Sequence, residues 1–308
     1  ILYPIILLVF LVPKIQAFGE DEGNVDIEIE LLSSIPGRDL QWDWWQARTA
    51  FVPSSKDGKG AKSKWVTTMS ETGRAVSHDF HDIFESVSYD EGVTWSKPKR
   101  LDSLRRFKQD DGYEVSAGDL WPTYHKKSGK VISTGKTFNF EKGTNENIRR
   151  EKISYAVMDP KNGEWGKLRF LEMPERDYAG NIITAVNAGN TQRVDLPNGD
   201  ILLPVRYMAD SKKVNYTSIV VLCRFDGEKL VYLKHGTEHS IPRDRGLYEP
   251  SLIEHKGEYF LTLRADHSGF VTKGGDGLSF EKLEMYMEKN DQVLNLRELY
   301  AIGPSISI

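Results

Sequence analysis

One turn pattern occurs four times in this chain, and it constrains the fold more than any other feature of the sequence. Each copy holds an acidic residue and a glycine, and each follows a run of residues typical of a β-strand. The acidic residues lie roughly 50 to 70 positions apart; they are Asp90, Asp159, Asp226 and Asp276. A repeat of that length fits the four-stranded blade of a β-propeller with insertions in its loops.

Short apolar or alternating runs continue along the chain, punctuated by Gly, Pro, Asn and Asp. No long segment has the 3.6-residue period of an amphipathic helix, so the sequence predicts an all-β fold. Each repeat contains a strand-like run introduced by its own polar turn. These four runs are Lys64–Met69, Lys130–Thr134, Asp200–Tyr207 and Glu258–Leu263.

The N-terminal residues 1–12 form an apolar run that is too short to span a bilayer with ease. Because the small residue Ala17 precedes an acidic segment, we interpret residues 1–17 as a secretory signal peptide and residues 25–308 as the propeller domain. An uncleaved membrane anchor is the alternative. Residues 25–31 alternate apolar and acidic side chains, which predicts a strand that completes the last blade. The predicted location is therefore extracellular or periplasmic, without stable membrane insertion after cleavage.

Charge and cysteine content narrow the classes of partner. The chain carries a net charge of −4 and has no dense block of Lys and Arg, so nothing in it points to nucleic acid. Cys223 is the single cysteine and lies in an apolar run, which excludes an internal disulfide and predicts a buried structural thiol.

A third repeated feature precedes each strand-like run, where a polar residue stands at the start of the segment that opens the unit. In a propeller the first strand of each blade lines the central channel, so these residues are expected to converge at one mouth. They are Arg48, Asp119, Gln192 and Glu249. The alternative is that they are ordinary polar residues at strand ends.

The segment Ser88–Trp95 reads S-x-D-x-G-x-T-W, which fits the Asp-box motif in full. Its Asp accepts backbone N–H bonds, its Gly supplies positive φ and its Trp packs beneath the turn, so its role is structural. Together with LPNGDILLPVRY at 196–207 and RGLYEPSLIEHKGEYFLTLRADHSGFV at 245–271, the motif resembles the bacterial-type sialidase (neuraminidase) superfamily. The likeness is closest to secreted sialidase-like proteins of uncertain substrate.

The resemblance implies a six-bladed β-propeller. We expect this sequence to hold about four of the blades and the N-terminal closing strand, with the C-terminal blades missing from it. The resemblance also implies a retaining mechanism with a tyrosine nucleophile, for which this sequence offers no assignable residue.

The resemblance carries roles to four residues of this chain. Arg48 and Arg264 match arginines that bind the substrate carboxylate, because a guanidinium fits a carboxylate in geometry and charge. Asp79, shortly before the Asp-box, matches the acid/base, with Asp82 as the alternative. Glu249 matches the glutamate that takes the proton of the nucleophile. Asp119 and Gln192 are predicted to contact substrate from the channel mouth.

Simpler interpretations stand beside these roles. In one of them Arg48 forms a surface ion pair with Asp43 or Asp79. In another Glu249 caps a strand end and pairs with Arg245 or Arg264. The segment 78–82 holds two His and two Asp, but it lacks a glycine-bounded ligand loop. We expect a solvated loop there and no metal.

The leading hypothesis is a secreted exo-glycosidase of the sialidase type that needs no cofactor and removes a terminal acidic sugar, by default sialic acid, from glycans. A propeller that binds glycans or a protein without catalysis is the alternative. It is favoured by the family's third arginine and tyrosine, to which no residue of this sequence is assigned, and by Arg48, which is not followed by the Ile-Pro of the family's R-I-P motif. A hydrolase or lyase for another uronic or deoxy sugar is a third hypothesis.

Overall fold

The computed structural model describes residues 35–36, 41–54, 62–73, 79–141, 144, 147–210 and 213–288. The predicted signal peptide 1–17 and the predicted closing strand 25–31 lie outside the described residues. The described part is all-β: apart from a single 3₁₀ turn at Asp102–Leu104, its regular elements are strands. The prediction of an all-β chain is therefore confirmed.

The strands form four antiparallel sheets that follow one another along the chain. The first sheet contains β1 (Trp42–Val52), β2 (Lys64–Gly73), β3 (Phe80–Ser88) and β4 (Lys99–Arg100). The second contains β5 (Phe107–Lys108), β6 (Glu114–His125), β7 (Lys130–Phe140), β8 (Asn147–Ile148), β9 (Ile153–Asp159), β10 (Glu164–Trp165) and β11 (Arg169–Phe170). The third contains β12 (Thr184–Asn187), β13 (Val194–Asp195), β14 (Asp200–Met208), β15 (Tyr216–Phe225) and β16 (Leu230–His235). The fourth contains β17 (Tyr248–His255), β18 (Glu258–Arg264), β19 (Ser268–Gly274) and β20 (Glu284–Glu288).

The four strand-like runs of the sequence lie in β2, β7, β14 and β18, each of which pairs with the strand that opens its unit, namely β1, β6, β12 and β17. The four-unit organisation that the repeat predicts is therefore present. Four sheets do not by themselves confirm six blades, and that part of the prediction stays a prediction.

The sheets pack face to face, and this packing explains the apolar runs of the middle sheets. In β14, Ile201 and Leu203 pack into the cluster shared with the second sheet, whereas Leu202 packs into the cluster shared with the fourth. A strand that is buried on both faces reads as a continuous apolar run and not as an alternation. Cys223 is fully buried in the former cluster, and burial raises the pKa of its thiol to about 12, which fits a structural role.

The outer faces of the first and fourth sheets are less covered than the inner ones. Phe51 on β1 is 54% exposed and Ile253 on β17 is 45% exposed, whereas their sequence neighbours Val52 and Leu252 are buried between sheets. The alternation along these two strands thus reflects one packed face and one open face.

The Ser88–Trp95 turn joins β3 to β4 at the end of the first sheet where β1 finishes, since Ser88 pairs with Trp65 and Trp65 with Phe51. The carboxylate of Asp90 accepts bonds from the backbone N–H of Thr94 at 2.8 Å and from its hydroxyl at 2.6 Å. These bonds, the side-chain bond foremost, lower the pKa of Asp90. The hydrogen bonds of the Asp90 carboxylate are thus made within the turn itself, which agrees with a structural role.

Candidate functional site

Each sheet has the same irregularity in the strand that opens its unit, namely β1, β6, β12 and β17. The register of that strand against its neighbour shifts by one residue, which marks a β-bulge. In all four sheets the first bulged residue is not glycine, yet has positive φ: 56° at Gln46, 53° at Asp119, 47° at Ala185 and 50° at Glu249. A left-handed residue other than glycine is uncommon, and four in equivalent places indicate a built feature of this end of the sheets.

Two of the four bulges carry an acid that pairs with a cation on the neighbouring strand. Asp119 Oδ2 lies 2.9 Å from Lys136 Nζ, and Glu249 Oε2 lies 2.8 Å from Arg264 Nη1. The two cations occupy equivalent positions, because Lys136 pairs with the residue before the second bulge and Arg264 with the residue before the fourth. The bulge thus orients the acid toward the strand beside it.

Arg48 follows the first bulge and connects the first sheet to the third. Its guanidinium donates to the backbone oxygen of Ala47 and to the side-chain oxygen of Asn190, each at 2.9 Å, and it lies 5.0 Å from the ring centre of Trp121. Burial lowers the pKa of Arg48, while the negative charges of Asp119 and Glu249 act in the opposite direction. The described residues offer Arg48 neutral acceptors and no ion pair, although two carboxylates lie within electrostatic range.

Asp119 is the most enclosed of these groups, at 2% exposed. Its backbone N–H donates to Gln46 Oε1 at 3.0 Å, which joins the first two bulges directly. A Cβ placed on Gly189 of the third sheet would meet Asp119 Oδ2 at 2.6 Å, so only glycine allows this approach. The second carboxylate oxygen of Asp119 is buried and has no hydrogen-bond partner among the described residues.

The structure therefore brings four of the predicted residues together at the bulge end of the sheets. Glu249 and Arg264 form an ion pair, and the charges of Asp119 and Glu249 act on Arg48. We call the four residues Arg48, Asp119, Glu249 and Arg264 the bulge site. Their predicted roles toward substrate stay predictions. The expectation that Glu249 pairs with Arg264 is confirmed as a contact, whereas Arg48 pairs with neither Asp43 nor Asp79 within the described part of the chain.

Asp79 stands just before β3 in a pair of its own. Its Oδ1 lies 2.8 Å from His81 Nε2, the residue is buried, and the ring of His81 meets Trp42 edge-on at 4.7 Å. Asp79 packs so closely against Gly73 that a Cβ there would lie 2.3 Å from its Oδ2. No described contact joins it to the bulge site. Asp82, the alternative, accepts a bond from the backbone N–H of Arg106 at 2.9 Å.

The predicted register is wrong at two positions. Glu249 and Asp119 occupy the first bulged place, but in the first sheet that place belongs to Gln46, and Arg48 follows two residues later. In the third sheet it belongs to Ala185, because the first strand is interrupted: β12 and β13 both pair with β14, and Gln192 lies in the interruption between them. The backbone oxygen of Gln192 accepts from Leu252 N–H at 3.1 Å, and its side-chain oxygen is buried without a partner among the described residues.

Several site residues escaped the sequence reading. Gln46, Lys136 and Asn190 have no motif of their own, and only the alignment of the four bulges identifies their places. Trp121 lies in the segment that opens the second unit, where only Asp119 was predicted to contact substrate.

Beside the bulge site, a compact polar group closes the start of β17. The hydroxyl of Tyr248 donates to Asp266 Oδ1 at 2.7 Å, and Arg245 Nε donates to the same oxygen at 2.8 Å. The bond from Arg245 is the main cause that lowers the pKa of Asp266 to about 2. Burial and this carboxylate raise the pKa of Tyr248, so its phenol stays protonated. Arg264 lies over the same ring, with its Cζ 4.9 Å from the ring centre.

Two further features were sought within the described ranges. No three His, Cys, Asp or Glu side chains there are grouped so as to hold a metal ion. No helix there has the length and apolar character needed to cross a membrane.

The fold is similar to that of several solved structures, all at low sequence identity. A protein of unknown function from Dyadobacter fermentans shares 14% identity with a TM-score of 0.59, covering 83% of this chain and 72% of that protein. A Trypanosoma rangeli sialidase in complex with sialic acid shares 15% identity with a TM-score of 0.52, covering 76% of this chain and 36% of the sialidase. The NanB sialidase from Streptococcus pneumoniae shares 11% identity with a TM-score of 0.52, covering 80% and 52%.

No protein-family model matches this chain, and no curated protein matches its sequence. The chain spans 36% and 52% of the two sialidases named above. At such identities the likeness shows the fold alone. The comparisons and the four sheets together establish a sialidase-like all-β fold.

Proposed function

We propose that this protein is a secreted exo-glycosidase of the sialidase type, which acts on a terminal acidic sugar of glycans, with sialic acid as the default. The observation that carries the proposal is the bulge site. A partly buried guanidinium, Arg48, is held by neutral acceptors next to the Glu249–Arg264 pair. Sialidase-like structural neighbours, one of them in complex with sialic acid, support the choice of sugar.

The charges of this region suit a monoanionic sugar. Arg48, Arg264 and Lys136 supply three positive charges against the two carboxylates of Asp119 and Glu249. A bound carboxylate would neutralise the excess and give Arg48 the bidentate partner that it lacks among the described residues.

In the proposed reaction Glu249 takes the proton of a tyrosine nucleophile, and Asp79 protonates the leaving oxygen and later activates water. A neutral phenol suits an anionic sugar, since a carboxylate nucleophile would be repelled by the acid group of the sugar itself. Tyr248 is a poor candidate for that tyrosine, because its hydroxyl donates to Asp266 and its pKa is raised. The nucleophile stays unassigned. Six blades, removal of residues 1–17 and secretion belong to the same proposal.

The test is release of free sialic acid from a fluorogenic sialoside by the full chain. We expect turnover by the wild type and a loss of at least about 100-fold in kcat/KM in Glu249→Gln, because the general base is removed while the shape is kept. Glu254→Gln is the matched control, since Glu254 lies on the same strand and, within the described part of the chain, bonds only to the backbone N–H of Gly257 in its own turn. Absence of turnover, or equal turnover in Glu249→Gln, would sink the catalytic assignment.

A glycan-binding protein without catalysis is the second candidate. The Glu249–Arg264 ion pair favours it, because the 2.8 Å contact occupies one oxygen of the carboxylate that would have to take the proton. Calorimetric binding of a sialylated glycan by a chain that releases no sialic acid would select this candidate over the enzyme.

A further inference from the structure

Next to the bulge site two arginines converge on one tyrosine. The guanidinium carbon of Arg206 lies 3.8 Å from the ring centre of Tyr216, and Arg149 donates to the hydroxyl of the same residue. Arg206 lies on β14 and Tyr216 begins β15, whereas Arg149 follows β8 of the second sheet. We call these three residues the Tyr216 cluster.

The fold does not require an arginine at position 206. Arg206 pairs with the residue that directly follows the bulge of the third sheet. In the other three sheets the equivalent place is occupied by a threonine; these are Thr68, Thr134 and Thr262. The third sheet alone replaces this small side chain by a long cation.

The positive charge of the Tyr216 cluster is not compensated within the described residues. Neither Arg149 nor Arg206 has an ion pair there, and Nη1 of Arg206 is buried without a hydrogen-bond partner. The neighbouring arginines differ, because Arg245 pairs with Asp266 and Arg264 with Glu249. Two cations at one tyrosine and an unmet buried donor destabilise the site unless an anion binds there.

The Tyr216 cluster continues the bulge site through two aromatic rings. Tyr216 and Tyr248 meet edge-on with their ring centres 6.0 Å apart, and Arg264 lies over the ring of Tyr248. An oligosaccharide that placed its terminal carboxylate near Arg264 would therefore extend along these rings toward Arg206. An arginine stacked on a ring keeps its N–H edge available for an anion in its plane.

We propose that Arg149 and Arg206 form a second anion subsite, which takes the carboxylate or the sulfate ester of a second acidic group on the glycan. The inference rests on the proposed function for the identity of the ligand, but not for the existence of the anion site. The protein then prefers dianionic acidic oligosaccharides to glycans with a single terminal charge.

The anion site is tested first with inorganic sulfate. Thermal unfolding of the full chain is followed in sodium sulfate and in sodium chloride of equal ionic strength. We expect extra protection by sulfate in the wild type that is lost in Arg206→Thr, which installs the residue of the other three sheets, and in the exposed Arg149→Gln. Arg150→Gln is the matched control, because Arg150 already pairs with Asp111 at 3.0 Å. No sulfate-specific protection, or protection unchanged in both variants, would overturn the proposal.

The second measurement identifies the ligand by calorimetry with monosialyl, disialyl and sulfated monosialyl oligosaccharides. We expect the two dianionic probes to bind about tenfold more tightly than the monosialyl probe, and Arg206→Thr to abolish that preference without weakening monosialyl binding. The tighter of the two dianionic probes distinguishes carboxylate from sulfate ester. An equal affinity for all three probes overturns the preference. If no sialylated probe binds while sulfate protection still depends on both arginines, the proposed function fails and the anion site stands.

Discussion

The second and fourth sheets carry an acid and a cation at their bulges, whereas the first and third do not. In the first sheet the bulged residue is Gln46, and Ser70 takes the place of the cation on the neighbouring strand. In the third sheet these two residues are Ala185 and Met208. All four bulges nevertheless have the same register shift and the same positive φ. The bulge is therefore a feature of the fold, and it does not depend on a charged side chain at the bulged position.

The two charged sheets also differ from each other in burial. In the second sheet the side chains of Asp119 and Lys136 are 3% and 15% exposed, while in the fourth those of Glu249 and Arg264 are 22% and 35% exposed. A buried pair is costly to break, and an open pair is accessible to a ligand. We therefore expect the second sheet's pair to matter for stability and the fourth sheet's pair for binding.

The largest expected effect is that of Lys136→Met, which leaves the carboxylate of Asp119 buried and unpaired. We expect a loss of about 3–5 kcal/mol in the free energy of unfolding, measured by urea denaturation. The counterpart Arg264→Met should cost about 1 kcal/mol or less, because its pair is more exposed. Equal losses in the two variants would remove the distinction between the sheets.

The double variant Asp119→Ala with Lys136→Met gives the second sheet the residues of the third. With both charges removed, we expect about 1–2 kcal/mol of destabilisation, clearly less than in Lys136→Met alone. The double-mutant cycle yields the coupling between the two side chains. A double variant less stable than Lys136→Met would show that Asp119 stabilises the fold by contacts other than this ion pair.

Lowering the pH tests the polar group at the start of β17, which consists of Arg245, Tyr248 and Asp266 and lies beside the fourth bulge. The pKa of Asp266 is lowered from 3.8 to about 2 mainly by its bond to Arg245. A carboxyl whose pKa is lower in the folded state stabilises that state at any pH above the pKa of the unfolded state. The stabilisation is lost as the pH falls through the pKa of the folded state. The free energy of unfolding of the wild type should therefore exceed that of Asp266→Asn by about 2 kcal/mol at pH 6, and the difference should vanish as the pH falls from 4 to 2. A constant difference over that range would exclude ionisation as its cause.

The smallest effect concerns the bulge backbone itself. Ala185 has a φ of 47°, so Ala185→Gly relieves strain that offsets the entropy added to the unfolded chain. We expect the free energy of unfolding to rise by between 0 and about 0.5 kcal/mol. The control Ala117→Gly, at a buried site of β6 just before the second bulge, should cost about 1 kcal/mol. Equal losses at both sites would show that the bulge stores no strain.

The sequence predicted the strands and turns well because their signals are local. The runs that became β2, β7, β14 and β18 were predicted from alternation and flanking polar turns, and the Ser88–Trp95 turn from its own residues. Asp119 and Glu249 were also found, since the segment opening each of these two units begins beside its bulge.

The bulges could not be read because one extra residue leaves no mark in composition. Its effect is to change the face of every residue before it, and no local signal marks Gln46, two positions before Arg48, as the equivalent of Asp119 and Glu249. Gln192 was misplaced because the first strand of the third sheet is interrupted, and only its second fragment, β13, resembled the opening of the other units. Contacts such as Arg48 with Asn190 join distant parts of the chain and depend on how the sheets pack.

The most direct test of the central idea, that the bulge site binds a carboxylate, is the affinity of the full chain for 3′-sialyllactose compared with lactose. The two ligands differ by the acidic sugar alone, and Arg48 is the cation of the bulge site that lacks an ion pair among the described residues. We predict that sialyllactose binds, that lactose does not, and that Arg48→Gln weakens the binding of sialyllactose at least about tenfold. Equal binding of both sugars, or an unchanged affinity in Arg48→Gln, would contradict the account.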